Sequence, residues 1–302
     1  FVNLFLYALK QQEVPVYISI TMRADFLSDC AEFFGLTEAL NEGHYLVPRM
    51  SVDERKQAII KPIELFGGLI SERLVNRLIE DTGNDPDQLP ILQHALMRTW
   101  DFWQSTRLDD QPIDIPHYEA IGTMKEALSR HAEEVYNEVP DIHSRQLAEK
   151  LFKSLTNLGE DSRGTRRPTA LAEISRLADT NEEQVIEVVE RFRQPGRSFL
   201  MPPVTSDLLP ETIIDISHES LMRVWTRLTS WVEEETKSAE LYLRLSKSAE
   251  LYQNGLAGLL VNPELQLAMK WKADTKPNAT WAHRYNPAFE RAMLFLEQSN
   301  KE

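Results

Sequence analysis

The sequence predicts a mainly α protein that carries a small α/β remnant near its start, and three observations support this. Val14-Pro15-Val16-Tyr17-Ile18-Ser19-Ile20-Thr21-Met22 is a β-branched, nearly continuous apolar run of the kind found in strands buried on both faces. From Ser51 onward, apolar residues recur at three- and four-residue steps, punctuated by capping residues and glycines. Residues 141–216 read as helix, short strand, two helices and two strands, which is the element order of a winged helix.

The composition narrows the function classes. The chain has 302 residues, 42% hydrophobic and 26% charged, enough for more than one core and so for two or three domains. A formal net charge of −14 argues against nucleic acid as the main partner, because phosphate backbones call for a basic face. No apolar run reaches membrane-spanning length and none has the layout of a signal peptide, so no membrane partner is expected. Cys30 is the single cysteine. It allows no internal disulfide and no cysteine zinc site, which fits a reducing cytoplasm. The chain opens on Phe1-Val2-Asn3-Leu4 in mid-helix pattern and reads as a piece of something longer.

In chain order, Val2, Leu4, Phe5, Ala8 and Leu9 form one helical face that stops near Gln12. The apolar run 14–22 follows and ends in Arg23-Ala24-Asp25-Phe26-Leu27, a polar strand end feeding a short helix that includes Cys30. Open parallel sheets bind ligands beyond the carboxyl ends of their strands, which places Arg23 where an anion could be met. Pairing of Arg23 with Asp25 is the competing reading. Tyr45-Leu46-Val47-Pro48 is a second extended piece, at a sheet edge or in a loop.

Ser51 and Glu54 have capping-box spacing before a helix that breaks at Gly67-Gly68. A helix over 71–81 ends at Gly83, and 84–87 is a turn. Leu89-Pro90-Ile91-Leu92-Gln93-His94-Ala95-Leu96 then opens a long helix reaching Trp103, with Pro90 in the first turn, where a missing N–H costs nothing. Leu92, Leu96, Thr99, Trp100 and Trp103 form its buried stripe, and His94 reads as a surface or lining residue. Residues 112–116 look like a linker. Helices over 123–138 and 141–158 follow, then the winged-helix order with helices over 171–178 and 182–193 and strands over 197–202 and 211–216. The third of those helices carries Glu182, Glu183, Glu187 and Glu190 against Arg191 and Arg193, which makes it a poor major-groove reader.

The last of those strands leads into the most informative stretch, Asp215-Ile216-Ser217-His218-Glu219-Ser220-Leu221. Ser217 is placed to cap a helix whose apolar face is Leu221, Val224, Trp225, Leu228, Trp231 and Val232. His218 would then sit at a helix N-terminus, suited to a phosphate or carboxylate, unless it is simply a capping histidine packed under a domain. The helix can continue through Glu233-Glu234-Glu235, read as a solvated face, to a break at Gly255. Further amphipathic helices cover 265–271 and 289–296.

The sequence holds no self-sufficient catalytic centre. The phosphate-binding pattern G-x-x-x-x-G-K-[ST] is absent, as are a G-x-S-x-G elbow and a strand ending in paired acids. Arg163, Arg166 and Arg167 form the only dense basic cluster, open to an anion or to carboxylates of the protein itself.

Taken together, these pieces resemble the bacterial STAND-class nucleotide-switch ATPases, AAA+-related and nearest to the "novel STAND" group. Ile216-Ser217-His218-Glu219-Ser220-Leu221 with Arg223, Trp225, Arg227-Leu228 and Trp231 is similar to the group's winged-helix signature. Residues 21–27 resemble its sensor-1 strand end, and 89–96 its lid motif, although Gln88 stands where a small residue is common. Residues 159–168 resemble its pattern before the second winged-helix helix.

The resemblance implies four parts: the end of a nucleotide-binding α/β core (1–50), a helical lid (51–138), a winged-helix domain (139–235) and a C-terminal helical extension (236–302). It implies an ADP/ATP switch segment serving signalling or defence, with Arg23, Pro90 and His218 as nucleotide contacts and no catalytic or metal-binding residue in the chain. Mg²⁺ is expected only together with an upstream core holding the phosphate loop and acidic strand. Other implied partners are fused effector or sensor domains, such as WD repeats, and an oligomer on activation. A non-catalytic helical interaction module that kept the architecture is the alternative reading, and a DNA-binding regulator is disfavoured by the acidic third helix.

Overall fold

The computed structural model describes residues 2–11, 13–22, 27–83, 88–107, 111–157 and 165–301. They divide into two compact units, Phe1–Ser51 and Val52–Glu302.

The first unit contains α1 (Val2–Leu9), a 3-10 turn (Asp29–Glu32) and α2 (Leu36–Gly43). The strand expected over 14–22 does not form. Val14, Val16, Tyr17, Ile20 and Met22 are exposed, as are Tyr45, Leu46 and Val47 in the second expected extended piece. A strand satisfies its N–H and C=O groups only through neighbouring strands, and among the described residues none lies beside this run. Arg23 and its neighbours to Phe26 lie outside the described residues.

The second unit begins with five helices: α3 (Val52–Leu65), α4 (Glu72–Thr82), α5 (Leu89–Thr106), α6 (Ile115–Ala120) and α7 (Thr123–Asn137). Ile59, Leu74, Leu78, Ile91, Ala95 and Trp103 pack into their shared core. Ser71 caps α4 by accepting from the Leu74 N–H. Gly68 is required by a close approach, since a Cβ there would lie 2.6 Å from the Trp100 ring. The segment expected as a linker, 112–116, is instead ordered structure. Ile113 is buried and bridges Ile70, and Asp114 caps α6 while also accepting from the Ser71 hydroxyl and Arg73. Its prolines marked a helix start.

Next come α8 (Ile142–Ser154), β1 (Thr156–Asn157), β2 (Thr165–Arg166), β3 (Thr169–Ala170), α9 (Leu171–Ala178), α10 (Glu182–Arg193), β4 (Leu200–Met201) and β5 (Ile213–Ile216). β1 and β2 form an antiparallel ribbon, and β5 lies between β3 and β4, antiparallel to both. The register pairs Thr169 with Ile214 and Leu200 with Ile216, so the two inward isoleucines of β5 meet the helices. Phe152, Phe192, Trp225 and Trp231 interlock in the core, the Phe152 and Trp225 rings meeting edge-on at 5.0 Å.

The single helix expected from Ser217 is broken in two. α11 (Ser220–Val224) stops where Trp225 turns extended, and α12 (Thr226–Gln253) runs on for 28 residues. The break lets Trp225 be almost wholly buried while its indole N–H donates to Glu133 at 3.1 Å. The Thr229 hydroxyl spans the break by donating to the Met222 and Trp225 carbonyls.

α13 (Glu264–Thr275), α14 (Ala279–His283) and α15 (Phe289–Lys301) pack on the far part of α12 around Tyr242, Trp271, Phe295 and Leu296. Glu235, read as part of a solvated acidic face, is in fact buried. It accepts from the Trp281 indole and the Tyr285 hydroxyl, both at 2.7 Å, which compensates the lost hydration. Tryptophan and tyrosine donors more than forty positions away gave no local signal of this.

Candidate functional site

Pro90 lies in the first turn of α5, where its fixed φ suits the helix and its missing N–H leaves no bond unmade. One turn further along the same helix is His94, half-buried rather than on the surface. Its Nε2 lies 3.2 Å from Nδ1 of His131, a buried residue of α7, so the two rings share one N–H between them. Phe199 closes against both, with ring centroids 5.8 Å from His94 and 5.0 Å from His131.

This geometry keeps the pair neutral. Burial, then Arg98 and His218, push the His94 imidazole down to about 4. Burial, followed by Arg98, His94 and Arg197, pushes His131 down to about 3.

Phe199 also ties this pair to the other half of the site. Its carbonyl accepts from the Ser217 N–H at 3.0 Å, which anchors the link between β5 and α11. His218 follows immediately, exposed, and its ring has no hydrogen-bond partner among the described residues. Partial desolvation, then the neighbouring Arg166, lower its basicity, so it stands as a neutral imidazole. Arg166 braces the link by donating to Asp215 at 2.8 Å and to the Ile216 carbonyl at 3.1 Å, with Glu219 3.8 Å away. The structure thus brings the helix of Pro90 and the segment of His218 to one junction.

The helix-terminus account of His218 is corrected. α11 is five residues long, begins two positions after His218, and Ser217 does not cap it. Amides of its first turn already donate, Leu221 to the His218 carbonyl and Met222 to that of Glu219. So short a helix carries little of the aligned dipole that a longer one offers an anion. His218 can act through its ring rather than through the helix behind it.

A cleft of about 530 Å³ opens at the starts of α5 and α7. Gln88 and Ile91 line it from the start of α5, Lys125 from the start of α7, Val224 from α11, and the ion-paired Arg77 and Asp81, 3.0 Å apart, from α4. Pro90, partly buried, is not among its lining residues. Arg163 lies outside the described residues. Its two companions pair with carboxylates, Arg166 with Asp215 and Arg167 with Glu173. His131 and Phe199 were not anticipated, because the contacts join positions far apart in sequence and neither belongs to a motif.

Among the described residues no group of three or more side chains could hold a metal ion, and no helix is long and apolar enough to cross a membrane. The model of the family described as Novel STAND NTPase 1 matches residues 1–256. The chain belongs to this family. No curated protein and no solved structure matches it. The Novel STAND NTPase 1 match runs from α1 past the end of α12, so α13, α14 and α15 lie beyond it. It covers every residue of the His94, His131, Phe199 and His218 junction.

Proposed function

We propose that this chain is the lid and winged-helix segment of an ADP/ATP-dependent molecular switch of signalling or defence. Residues 51–138 act as the lid, 139–235 as the winged helix and 236–302 as a helical extension. The observation that carries the reading is the junction itself, where Phe199 packs on the lid histidines and its carbonyl holds the segment presenting His218.

The residues present suit a nucleotide. His218 is exposed and neutral, and its ring has no hydrogen-bond partner among the described residues, so it can donate to a phosphate oxygen. The cleft at the start of α5 has room for a base or sugar and carries Lys125 beside the Arg77–Asp81 ion pair. Pro90 offers an apolar surface at the start of α5, and Arg23 is proposed as the sensor of the terminal phosphate. A bound nucleotide supplies the free-energy difference between closed and open arrangements, through contacts that only one arrangement offers. The neutral His94–His131 pair favours closure, since charging it would place a cation in a buried position near Arg98. Hydrolysis, Mg²⁺ and oligomerisation are assigned to partners: an upstream core and fused effector or sensor domains.

Calorimetric titration with ADP tests this, in the 302-residue chain and in any longer form carrying a phosphate loop ahead of Phe1. Loss of one charge-assisted hydrogen bond in His218→Ala is expected to weaken ADP binding by about tenfold or more. ADP affinity unchanged in both His218→Ala and Arg23→Ala would leave the chain a helical interaction module.

A further inference from the structure

A second cleft, of about 480 Å³, lies between α9 and α14 and is lined by Arg167, Glu173, Arg176, His283 and Arg284. We propose that it is a binding site for the dianionic phosphate group of a small molecule, separate from the junction at His218. Three guanidinium groups and a histidine face a single carboxylate there, on a chain whose formal net charge is −14. Such a local reversal of sign needs a reason.

Arg284 points most strongly to a ligand. Its side chain is only 4% exposed, and its buried Nε has no hydrogen-bond partner. One terminal nitrogen donates to the Ser154 and Thr156 carbonyls, at 3.3 and 3.2 Å. The carboxylate nearest to it, Glu235, is 3.9 Å away and already accepts from Trp281 and Tyr285. Burial works most strongly against its charge, and Arg167 adds to that. A buried guanidinium with a vacant donor and a distant counter-charge is costly unless something else compensates it.

The other cations are available to do so. Arg167 makes only a long contact, 3.4 Å, with Glu173. The side chains of Arg176 and His283 are exposed and have no partner among the described residues. The backbone is nevertheless firm here, because the Asn278 amide donates to the Arg176 and Leu177 carbonyls and so fastens α14 to the end of α9. Guanidinium groups converging from separate elements match the several oxygens of a phosphate better than the two of a carboxylate. The strongly negative chain around the cleft repels extended polyanions, which favours a small phosphorylated ligand over nucleic acid. α14 and Arg284, which follows it, lie outside the family match, so this site joins a family element to one outside the match.

The test is calorimetry and thermal unfolding of the 302-residue chain with inorganic phosphate and with glycerol phosphate, against sodium chloride at matched ionic strength. Phosphate is expected to bind and to raise Tm where chloride does not. Arg176→Gln, an exposed change, should weaken binding by about tenfold, and Arg167→Gln/Arg176→Gln should abolish it. His218→Ala should leave it unchanged, which separates this cleft from the nucleotide junction. Tighter binding of glycerol phosphate would identify a phosphomonoester ligand, and tighter binding of inorganic phosphate the free ion. Equal responses to phosphate and chloride would overturn the proposal, as would undiminished phosphate affinity in a double variant that unfolds at the parent's Tm in chloride.

Discussion

Tyr17 and Trp225 are both large aromatic residues on non-helical backbone, yet Tyr17 is 92% exposed and Trp225 1%. Trp225 sits between two helices that fold on their own hydrogen bonds, with Phe152, Phe192, Tyr136 and Trp231 arranged around it. Tyr17 belongs to a run that depends on other strands for both its hydrogen bonds and its cover, and the described residues supply neither. An apolar run specifies that burial is wanted. It does not specify what will cover it.

The contrast can be broken or sharpened by mutation. Trp225→Ala should have the largest effect, a loss of about 3–5 kcal/mol in urea unfolding, because it opens a cavity amid four rings and removes the indole hydrogen bond to Glu133. A loss under about 1 kcal/mol would mean that this core is not what holds α8, α10 and α12 together.

The buried histidine pair comes next. Folded His94 and His131 lie near 4 and 3, below the ordinary histidine value of about 6.5, so the unfolded chain takes up protons first as pH falls. Stability from this pair is fully present above about pH 6.5 and declines below it, by up to about 1.4 kcal/mol per pH unit for each ring. His131→Gln should therefore flatten the decline between about pH 6.5 and 4 relative to the parent, as read from urea midpoints. Parallel profiles would show that the pair is not held neutral.

Tyr17→Ser should have the smallest effect, within about 0.5 kcal/mol, since a fully exposed side chain has little burial to lose. A larger loss would show that the first unit has a core of its own.

Much of the helical architecture was legible in the sequence, because a helix announces itself locally. Ser71 with its following apolar stripe, Pro90 at a first turn, and the heptad-like face behind Trp225 each needed only neighbours within one or two turns. Strand β5 was also legible, because Ile214 and Ile216 share one face of a short β-type run. Contacts made at a distance were not. Glu235 reads as one of three exposed acids until Trp281 and Tyr285 fold over it, and His94 reads as a surface or lining residue with no partner in sight until His131 arrives from α7. At the candidate site, Pro90 and His218 were recognisable as parts of motifs. The joining of α5 to the segment before His218 through Phe199 was not, because it depends on the Phe199 ring packing on His94 and His131 while its carbonyl accepts from the Ser217 N–H.

The central claim is that the start of α5 and the segment carrying His218 respond together to one nucleotide. Hydrogen–deuterium exchange, with and without ADP at a concentration that calorimetry shows to be bound, measures this directly. The account predicts slowed exchange in both the first turns of α5 and residues 217–221, with both effects lost in His218→Ala. Protection of one segment without the other, or of neither, would contradict it.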